Sequence, residues 1–287
     1  MGVIQQNHKI KAPAKVNIRL KVTGQRPDGY HELVSIMVPV GLYDILEIKV
    51  PWGNSIKITS NGYDVPLNED NLIYRAAESF MARADIKEGI LINLSKNIPV
   101  AAGLGGGSSD AASVLLALNK IFQQPLSESD MHCIASKLGA DVPFFLISAP
   151  SLATGIGDIL EPIPKWPELW YIIITPPIKV STSWVYGNLK LELTTGEYDY
   201  ILSILKNDGY NISQILENDL ENVTSARFPI INTLKKLLVA VGAEGSIMSG
   251  SGPSVFGVFL SYEKAKKAVD TLLPRDLGSI FLVKGIN

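Results

Sequence analysis

The chain has 287 residues, and at roughly 150 residues per domain this length predicts about two domains. Its composition, 46 % hydrophobic and 19 % charged, excludes wholesale disorder, collagen and coiled coil. With 26 Lys and Arg against 28 Asp and Glu the formal net charge is −2, so no overall basic field exists to attract nucleic acid or an acidic membrane. A single cysteine and three histidines exclude a disulfide framework and a zinc site of clustered Cys and His, and they favour a cytoplasmic protein.

The first third of the chain predicts strands and turns. Between residues 16 and 22 apolar side chains alternate with polar ones, which is typical of a strand that is buried on one face only. The polar face carries Lys15, Asn17, Arg19 and Lys21. A turn over residues 24–30 follows, and alternating runs at 46–50 and 56–58 predict two further strands.

A first helix is predicted after residue 70, because Leu72, Ala76 and Phe80 recur at helical spacing on one stripe. Asp70 or Asn71 is placed to cap the start of this helix. Packing against the core is the simplest role for such a helix.

Another helix is predicted from the capping box that Ser127 and Asp130 form, and Gly139 ends it. The helical pattern favours a packed position for Cys133, the only cysteine of the chain.

The last part of the chain predicts an α+β layer. Prolines cluster just after residue 163, so we predict an N-terminal nucleotide-binding domain at 1–165 and a C-terminal substrate-side domain at 166–287. The second domain is predicted to contain a strong helix, a strand pair, another helix and a final strand, at 230–241, 247–260, 263–272 and 280–283.

The most informative segment is the glycine loop, residues 99–110, with the sequence Pro-Val-Ala-Ala-Gly-Leu-Gly-Gly-Gly-Ser-Ser-Asp. Its four glycines allow backbone N–H groups to converge on one anion, and a helical pattern that begins near Ser109 adds the positive end of a helix dipole. The dipole alone contributes about 0.3–1 kcal/mol, so a triphosphate also needs several N–H donors and a cation. The loop therefore predicts a phosphate site; a flexible connection without a ligand would not explain the amphipathic helix at its exit.

Two familiar phosphate loops do not fit this segment. A Walker loop needs a Lys and then Ser or Thr after its last glycine, whereas Gly107 is followed directly by Ser108. A dinucleotide-binding loop places its glycines directly after a strand, but residues 95–102 intervene here, and Ser108 stands where the third glycine belongs. The positive charge for a phosphate must then come from another part of the chain.

Together with two other segments, the glycine loop resembles the superfamily of galactokinase, homoserine kinase, mevalonate kinase and phosphomevalonate kinase. The other segments are Pro-Ala-Lys-Val-Asn at 13–17 and Ser-Gly-Ser-Gly-Pro-Ser-Val-Phe at 249–256, and all three occur in the expected order. Residues 24–31, 69–73 and 139–145 are further similar to the kinases that phosphorylate 4-diphosphocytidyl-2-C-methyl-D-erythritol. The resemblance covers essentially the whole chain.

This resemblance implies an α+β, two-domain small-molecule kinase fold with the active site in the interdomain cleft. It implies ATP-dependent phosphorylation of a hydroxyl of that cytidyl substrate, in the non-mevalonate route to isoprenoid precursors. Mg²⁺ is expected with ATP, and its protein ligands are left unassigned. Phosphoryl transfer needs positive charge on the transferring group and a residue that orients or deprotonates the attacking hydroxyl. The resemblance implies Lys15 and Asp141 for these two tasks, and because the strand face of Lys15 is polar we expect Lys15→Ala to leave the fold intact.

The resemblance also implies the binding residues. Tyr30 is expected to stack on the cytosine, His31 to bond its edge and Tyr186 to cover the opposite ring face. Asn17 and Thr182 complete the substrate set. The expected ATP-binding residues are Asn71, Leu72, Lys96, Pro99, Gly103, Leu104, Gly105, Gly106, Gly107, Ser108, Ser109 and Asp110.

Two other functions stay open. A kinase of the same superfamily that acts on mevalonate or another small alcohol would leave Tyr30 and His31 without a base to hold. A nucleotide-binding regulatory module without catalysis is disfavoured because Lys15 and Asp141 are both present. We expect a small-molecule substrate and ATP as partners, no nucleic acid or membrane, and a monomer or weak homodimer.

Overall fold

The computed structural model describes residues 6–190, 196–206 and 211–287. The strands are β1 (Gln6–Gln25), β2 (His31–Val50), β3 (Ile56–Gly62), β4 (Ile90–Lys96), β5 (Ser151–Thr154), β6 (Ile159–Pro162), β7 (Trp170–Thr175), β8 (Glu217–Asn218), β9 (Gly245–Met248), β10 (Val255–Phe259) and β11 (Ser279–Lys284). The helices are α1 (Leu72–Arg83), α2 (Gly106–Ile121), α3 (Glu128–Leu138), α4 (Val142–Ile147), α5 (Thr182–Gly187), α6 (Glu197–Leu205), α7 (Ile212–Ile215), α8 (Asp219–Arg227), α9 (Ile230–Ala240) and α10 (Tyr262–Leu272). None of these helices combines the length and apolar character needed to span a bilayer.

The chain forms two compact units, each assembled from segments that are not consecutive in sequence. The first unit contains the described residues up to Ala14, together with Leu42–Val100 and Gly105–Ser148. The second contains Lys15–Gly41, Ala101–Leu104 and the described residues of Ala149–Asn287. The predicted division at residues 165 and 166 is one along the sequence, and it stays a prediction.

In the first unit, β3 pairs in parallel with β4, and β4 pairs antiparallel with the second half of β2. Helix α1 packs against α2 and α3, and α2 also packs against α4. The predicted cap of α1 is confirmed, because the side chain of Asn71 accepts a hydrogen bond from the amide of Ile73. Its buried stripe begins at Ile73 instead of Leu72, which is only half-buried.

Helix α3 has the predicted capping box between Ser127 and Asp130, and Gly139 ends it. The packed position expected for Cys133 is wrong, because this side chain is exposed. The buried stripe of α3 consists of Met131, Ile134, Ala135 and Leu138. Position 133 therefore lies off the face that packs against the other helices.

In the second unit, the strand order β11-β7-β10-β9 forms an antiparallel sheet, and α9 and α10 pack against it. The helix, strand pair, helix and final strand predicted for the last part of the chain are all present in that order. The first half of β2 pairs antiparallel with β5, and β1 pairs in parallel with β8. Buried side chains fill the core of this unit, among them Leu20, Ile172, Leu234, Val255 and Phe259.

Strand β1 differs from the half-buried strand that its alternation predicts. Its apolar face is buried, and so are Lys15, Asn17 and Arg19 on its polar face, which are each at most 4 % exposed. Buried charges need partners, and these come from distant parts of the chain. Arg19 binds Glu197 and lies 2.7 Å from a carboxylate oxygen of Glu217.

Candidate active site

The glycine loop, which we also call the phosphate loop, runs into helix α2. The first turn of α2 contains Gly106, Gly107 and Ser108. Gly105 precedes this turn in the left-handed conformation, with φ at 69°, which glycine adopts without steric cost. The helix therefore begins earlier than the predicted start near Ser109. Glycine lowers helix propensity by about 1 kcal/mol per residue, but burial of the following turns overcomes that cost. First-turn amides have no acceptor within their helix, so the glycines themselves form the anion-binding end.

The two residues that follow this first turn are buried. Ser109 is 0 % exposed, and its hydroxyl has no hydrogen-bond partner among the described residues. Asp110 is 2 % exposed, and burial raises the pKa of its carboxyl to about 7, against the attraction of Lys96 and with repulsion from Asp44. Ser108 is only half-buried, so its side chain is the more accessible of the two predicted hydroxyls.

Lys96 lies at the end of β4 and is almost fully buried between two carboxylates. Its ammonium donates to Asp44 and, at 2.6 Å, to the Oδ2 atom of Asp110. The side chain of Lys96 is 3 % exposed, and its ammonium is paired within the protein. Asp44 is not among the residues predicted from the sequence, although the sequence contains a signal for it. It is a carboxylate on the buried face of β2, where positions 42, 46, 48 and 50 carry apolar side chains.

Two of the predicted ATP-binding residues, Asn71 and Leu72, lie at the start of α1. Asn71 caps this helix and also donates, at 2.6 Å, to the carbonyl oxygen of Pro66. Leu72 lies beside the phosphate loop, since a Cβ atom built on Gly107 would be 3.8 Å from its Cδ1 atom. Pro99 is buried after β4. Of Asn71 and Leu72, Leu72 is therefore the residue that the structure brings to the glycines of the loop.

In the second unit, hydrogen bonds connect the polar face of β1. The Nζ atom of Lys15 donates to the Oδ1 atom of Asn17 at 2.5 Å. The side-chain amide of Asn17 donates to Ser35 at 2.9 Å, and Ser35 donates to the carbonyl oxygen of Arg19. Asn17 thereby fixes the direction of the Lys15 ammonium.

The same unit brings together the three sequence segments that carry the resemblance. The amide of Lys15 donates to the carbonyl oxygen of Leu104 at 2.9 Å. The hydroxyl of Ser249 donates to the carbonyl oxygen of Gly103 at 2.8 Å and accepts from the amide of Asn17. A Cβ atom at position 103 would overlap the carbonyl oxygen of Ser249, which explains the glycine there.

Three of the residues predicted to bind the substrate lie on α5 or against it, namely Thr182, Tyr186 and His31. Thr182 and Tyr186 lie four residues apart on this helix, which Ser181 caps. The ring of His31 lies against that of Tyr186, and the hydroxyl of Thr182 lies 2.8 Å from that of Ser251. Tyr30, beside His31, is 59 % exposed. Neither ring of the His31–Tyr186 pair is fully buried.

Asp141 directly precedes α4 in the first unit. It has helical backbone angles, and its carboxylate does not cap the helix. Buried Val142, Phe144 and Phe145 fix α4 in the core, while Asp141 is half-buried. The carboxylate of Asp141 is thus held at the start of a well-packed helix, and it does not cap that helix.

Comparison with known proteins matches these features to one family. The family model of the GHMP kinases N terminal domain matches residues 71–149, and that of the GHMP kinases C terminal matches residues 200–276. A 4-diphosphocytidyl-2-C-methyl-D-erythritol kinase of Syntrophotalea carbinolica is 45 % identical over 276 residues, which are 96 % of this chain and 98 % of the relative. The chain belongs to the GHMP kinases, among the 4-diphosphocytidyl-2-C-methyl-D-erythritol kinases.

Further relatives agree with this membership. The kinase of the same name from Geobacter metallireducens is 46 % identical over 92 % of this chain and 93 % of its own length. A crystal structure of 4-(cytidine 5'-diphospho)-2C-methyl-D-erythritol kinase has a TM-score of 0.82 and 32 % identity, covering 98 % of this chain and all of that one. A homoserine kinase from Cytophaga hutchinsonii, with a TM-score of 0.74 and 19 % identity, covers 100 % of this chain and 96 % of its own and shares the fold. The protein is a small-molecule kinase with the predicted α+β fold.

Proposed function

We propose that this kinase transfers the γ-phosphoryl group of ATP to a hydroxyl of 4-diphosphocytidyl-2-C-methyl-D-erythritol, in the non-mevalonate route to isoprenoid precursors. The observation that carries the proposal is the 45 % identity to a kinase of that name along 96 % of the chain. The contact between the rings of His31 and Tyr186 supports the cytidyl substrate, because flat side chains favour binding of a base.

The triphosphate of ATP is bound by the first turn of α2. Amides of Gly106, Gly107 and Ser108 donate to phosphate oxygens, and Leu72 contacts the nucleotide beside them. Gly105 and the preceding Gly103 and Leu104 shape the loop, since their backbone conformations and hydrogen bonds fix its path. The remaining predicted ATP residues, Asn71, Lys96, Pro99, Ser109 and Asp110, act from buried positions behind this surface.

Mg²⁺ is proposed to accompany ATP. Within the described ranges, no three or more His, Cys, Asp or Glu side chains form a cluster that could hold a metal ion. Kinases bind Mg²⁺ through substrate phosphates and water together with one or two carboxylates of the protein. When bound, the ion neutralises charge on the phosphates; its protein ligands are not assigned.

Lys15 supplies the positive charge that the transferring phosphoryl group requires. Asn17 directs its ammonium, so the charge is held in a defined position before the substrates bind. An ammonium that is already oriented does not need to reorganise as negative charge spreads over the phosphoryl oxygens.

Asp141 orients the attacking hydroxyl of the substrate and accepts its proton. Its carboxylate is half-buried on the well-packed start of α4, which limits its motion. Because the transition state of phosphoryl transfer is loose, orientation contributes before the proton leaves the hydroxyl. As the new bond forms between the substrate oxygen and the γ-phosphorus, the bond from the γ-phosphorus to the bridging oxygen of ADP breaks and ADP leaves. The proton moves from the hydroxyl oxygen to a carboxylate oxygen of Asp141.

The cytidyl end is held in the second unit. Tyr30 stacks on the cytosine, His31 hydrogen-bonds its edge and Tyr186 covers the other ring face. The hydroxyl of Thr182, beside Ser251, bonds to the polar part of the substrate.

Use of ATP favours a cytoplasmic location, and the protein acts as a monomer or weak homodimer.

The test is phosphorylation by the purified protein with ATP and Mg²⁺, offered 4-diphosphocytidyl-2-C-methyl-D-erythritol, mevalonate and homoserine in parallel reactions. Mass spectrometry detects each phosphorylated product, and the Asp141→Asn variant serves as the matched control for contaminating kinases. We expect product from the cytidyl substrate only. Product from mevalonate alone would support the related kinase instead, and no product from any acceptor would support a nucleotide-binding module without catalysis.

A further inference from the structure

Asp44 is a fully buried carboxylate that the proposed reaction does not use. Its Oδ1 atom accepts hydrogen bonds from the amides of Asn97, at 2.6 Å, and Ile98, at 2.8 Å. Its other oxygen accepts from the ammonium of Lys96. All three donors belong to consecutive residues, 96–98, which connect the end of β4 to the segment that leads into the phosphate loop. Asp44 therefore fixes the path of the chain at this connection.

Lys96 connects Asp44 to the first turn of α2. A Cβ atom built on Gly106 would lie 2.9 Å from the Nζ atom of Lys96 and 3.0 Å from the Cγ2 atom of Ile98. The backbone of Gly106 thus rests directly on two side chains whose residues Asp44 holds. Lys96 also donates to Asp110, which lies four residues along α2 and hence on the same helix face.

This group has one ammonium against two carboxylates, so it carries no net positive charge. Lys96 faces the carboxylates of Asp44 and Asp110, both nearly fully buried. Burial raises the pKa of Asp110, and repulsion from Asp44 acts in the same direction, so part of the population carries a proton on Asp110 near neutral pH. The group therefore positions the loop through directed hydrogen bonds and does not supply a free positive charge. Buried ionic groups of this kind contribute little net stability compared with apolar packing.

We infer that Asp44 is a positioning residue of the ATP site: through Lys96 and the amides of residues 97 and 98, it holds the first-turn glycines of α2 where they bind phosphate. The inference rests on the proposed function, which assigns ATP to this loop. Asp44 itself contacts neither substrate, and its effect passes through the residues that it bonds.

The experiment is a double-mutant cycle of Asp44→Asn, Lys96→Gln and the double variant that combines them. In Asp44→Asn an amide N–H group faces the Lys96 ammonium, so donor meets donor and the contact is lost. In the double variant the Gln side chain accepts from the new amide and donates to Asp110, which restores the hydrogen bonds without the charges. Asp130→Asn is the control, because it removes an ion pair with Arg83 in the same unit.

The readouts are the Kd for ADP and for a non-hydrolysable ATP analogue by calorimetry, the KM for ATP and for the acceptor, kcat, and the thermal midpoint. For Asp44→Asn we expect Kd and KM for ATP to rise about tenfold, a loss of roughly 1.4 kcal/mol in nucleotide binding. The KM for the acceptor and kcat should change less than about threefold. Because the effect of Asp44 passes through Lys96, the double variant should bind nucleotide no more weakly than Lys96→Gln alone. Asp130→Asn should not alter nucleotide affinity.

Nucleotide affinity that is unchanged in Asp44→Asn would overturn the inference, and so would losses in the two single variants that simply add in the double variant. If Asp44→Asn is too unstable to purify, the double variant is compared with Lys96→Gln: equal nucleotide affinity supports the inference, and a further tenfold loss contradicts it. Wild-type protein that binds no adenine nucleotide would instead refute the proposed function, which separates the two failures.

Discussion

The ring of His31, at the start of β2, lies 5.1 Å from the ring of Tyr186 on α5, with the two planes inclined by 32°. Such a separation lies within the range of aromatic contacts. His31 and Tyr186 are 155 positions apart in the sequence, so the fold of the second unit brings them together. We assign the cytosine to this pair and to Tyr30, which precedes His31 in the sequence.

Removing the ring of Tyr186 is expected to weaken binding of the acceptor. Base–aromatic stacking contributes about 1–3 kcal/mol, so Tyr186→Ala should raise the KM for the cytidyl substrate by about 5- to 150-fold. Tyr186→Phe keeps the ring and should stay within about threefold of wild type. Steady-state kinetics with each substrate varied in turn measures both effects; an equal rise in the KM for ATP would contradict the assignment.

Replacing Asp141 by Asn is expected to lower kcat by about 10²–10⁴, the usual contribution of a positioned general base. The Kd for ADP should change little, since Asp141 is not assigned to the nucleotide. Thermal unfolding of the variant separates this loss of turnover from any loss of folded protein. Near-wild-type turnover in this variant would remove Asp141 from the mechanism.

Loss of Lys15 is expected to affect both transfer and stability. The sequence alone predicts that Lys15→Ala leaves the fold intact, but Lys15 is 4 % exposed and donates to buried Asn17. An acceptor left without its donor costs about 1–3 kcal/mol, so the free energy of unfolding should fall by that amount. Lys15→Met fills the same volume and should lose transfer equally; denaturant unfolding and single-turnover kinetics separate the two effects. Substantial transfer by a folded Lys15→Met variant would show that the ammonium is dispensable.

Asp110→Asn is expected to stabilise the protein at alkaline pH. The folded-state pKa of Asp110 is raised from 3.8 to about 7, so the folded protein binds the proton more tightly than the unfolded chain. The stability of the wild type therefore falls as the pH rises between these two values and is constant above the higher one. The Asn variant lacks this loss, so its advantage should grow from about pH 4 to about pH 7, to an order of 1–3 kcal/mol.

Thermal unfolding of both proteins across this pH range measures the difference. Asp130→Asn is a suitable comparison, since its carboxyl has a lowered pKa from hydrogen bonds to Ser127 and Arg83. An advantage of Asp110→Asn that is equal at pH 4 and pH 8 would contradict the assigned protonation.

Local patterns predicted much of the fold. The cap of α1, the capping box of α3 and the order of elements in the last part of the chain follow from residues close together in sequence. Interactions between distant residues explain what was missed. The alternation of β1 predicts one exposed face, but Arg19 is buried because Glu197 and Glu217 pair with it.

The candidate site was predictable only in part for the same reason. The glycine loop is recognisable from its composition, yet α2 begins at Gly106 because tertiary packing outweighs the low helix propensity of glycine. Asp44 carries a local signal, as a carboxylate on the buried face of an alternating strand, but its partners Lys96 and Asp110 follow only from the fold. The roles assigned to Lys15, Asp141 and the substrate residues stay predictions until the variants are measured.

The most direct measurement of the central claim is a competition in one tube, with ATP, Mg²⁺ and equal concentrations of 4-diphosphocytidyl-2-C-methyl-D-erythritol and mevalonate. The ratio of the two phosphorylated products at low conversion gives the ratio of kcat/KM for the two acceptors. The account predicts at least about 100-fold preference for the cytidyl substrate, with ADP formed in equal amount to product. Equal phosphorylation of both alcohols, or preference for mevalonate, would contradict it.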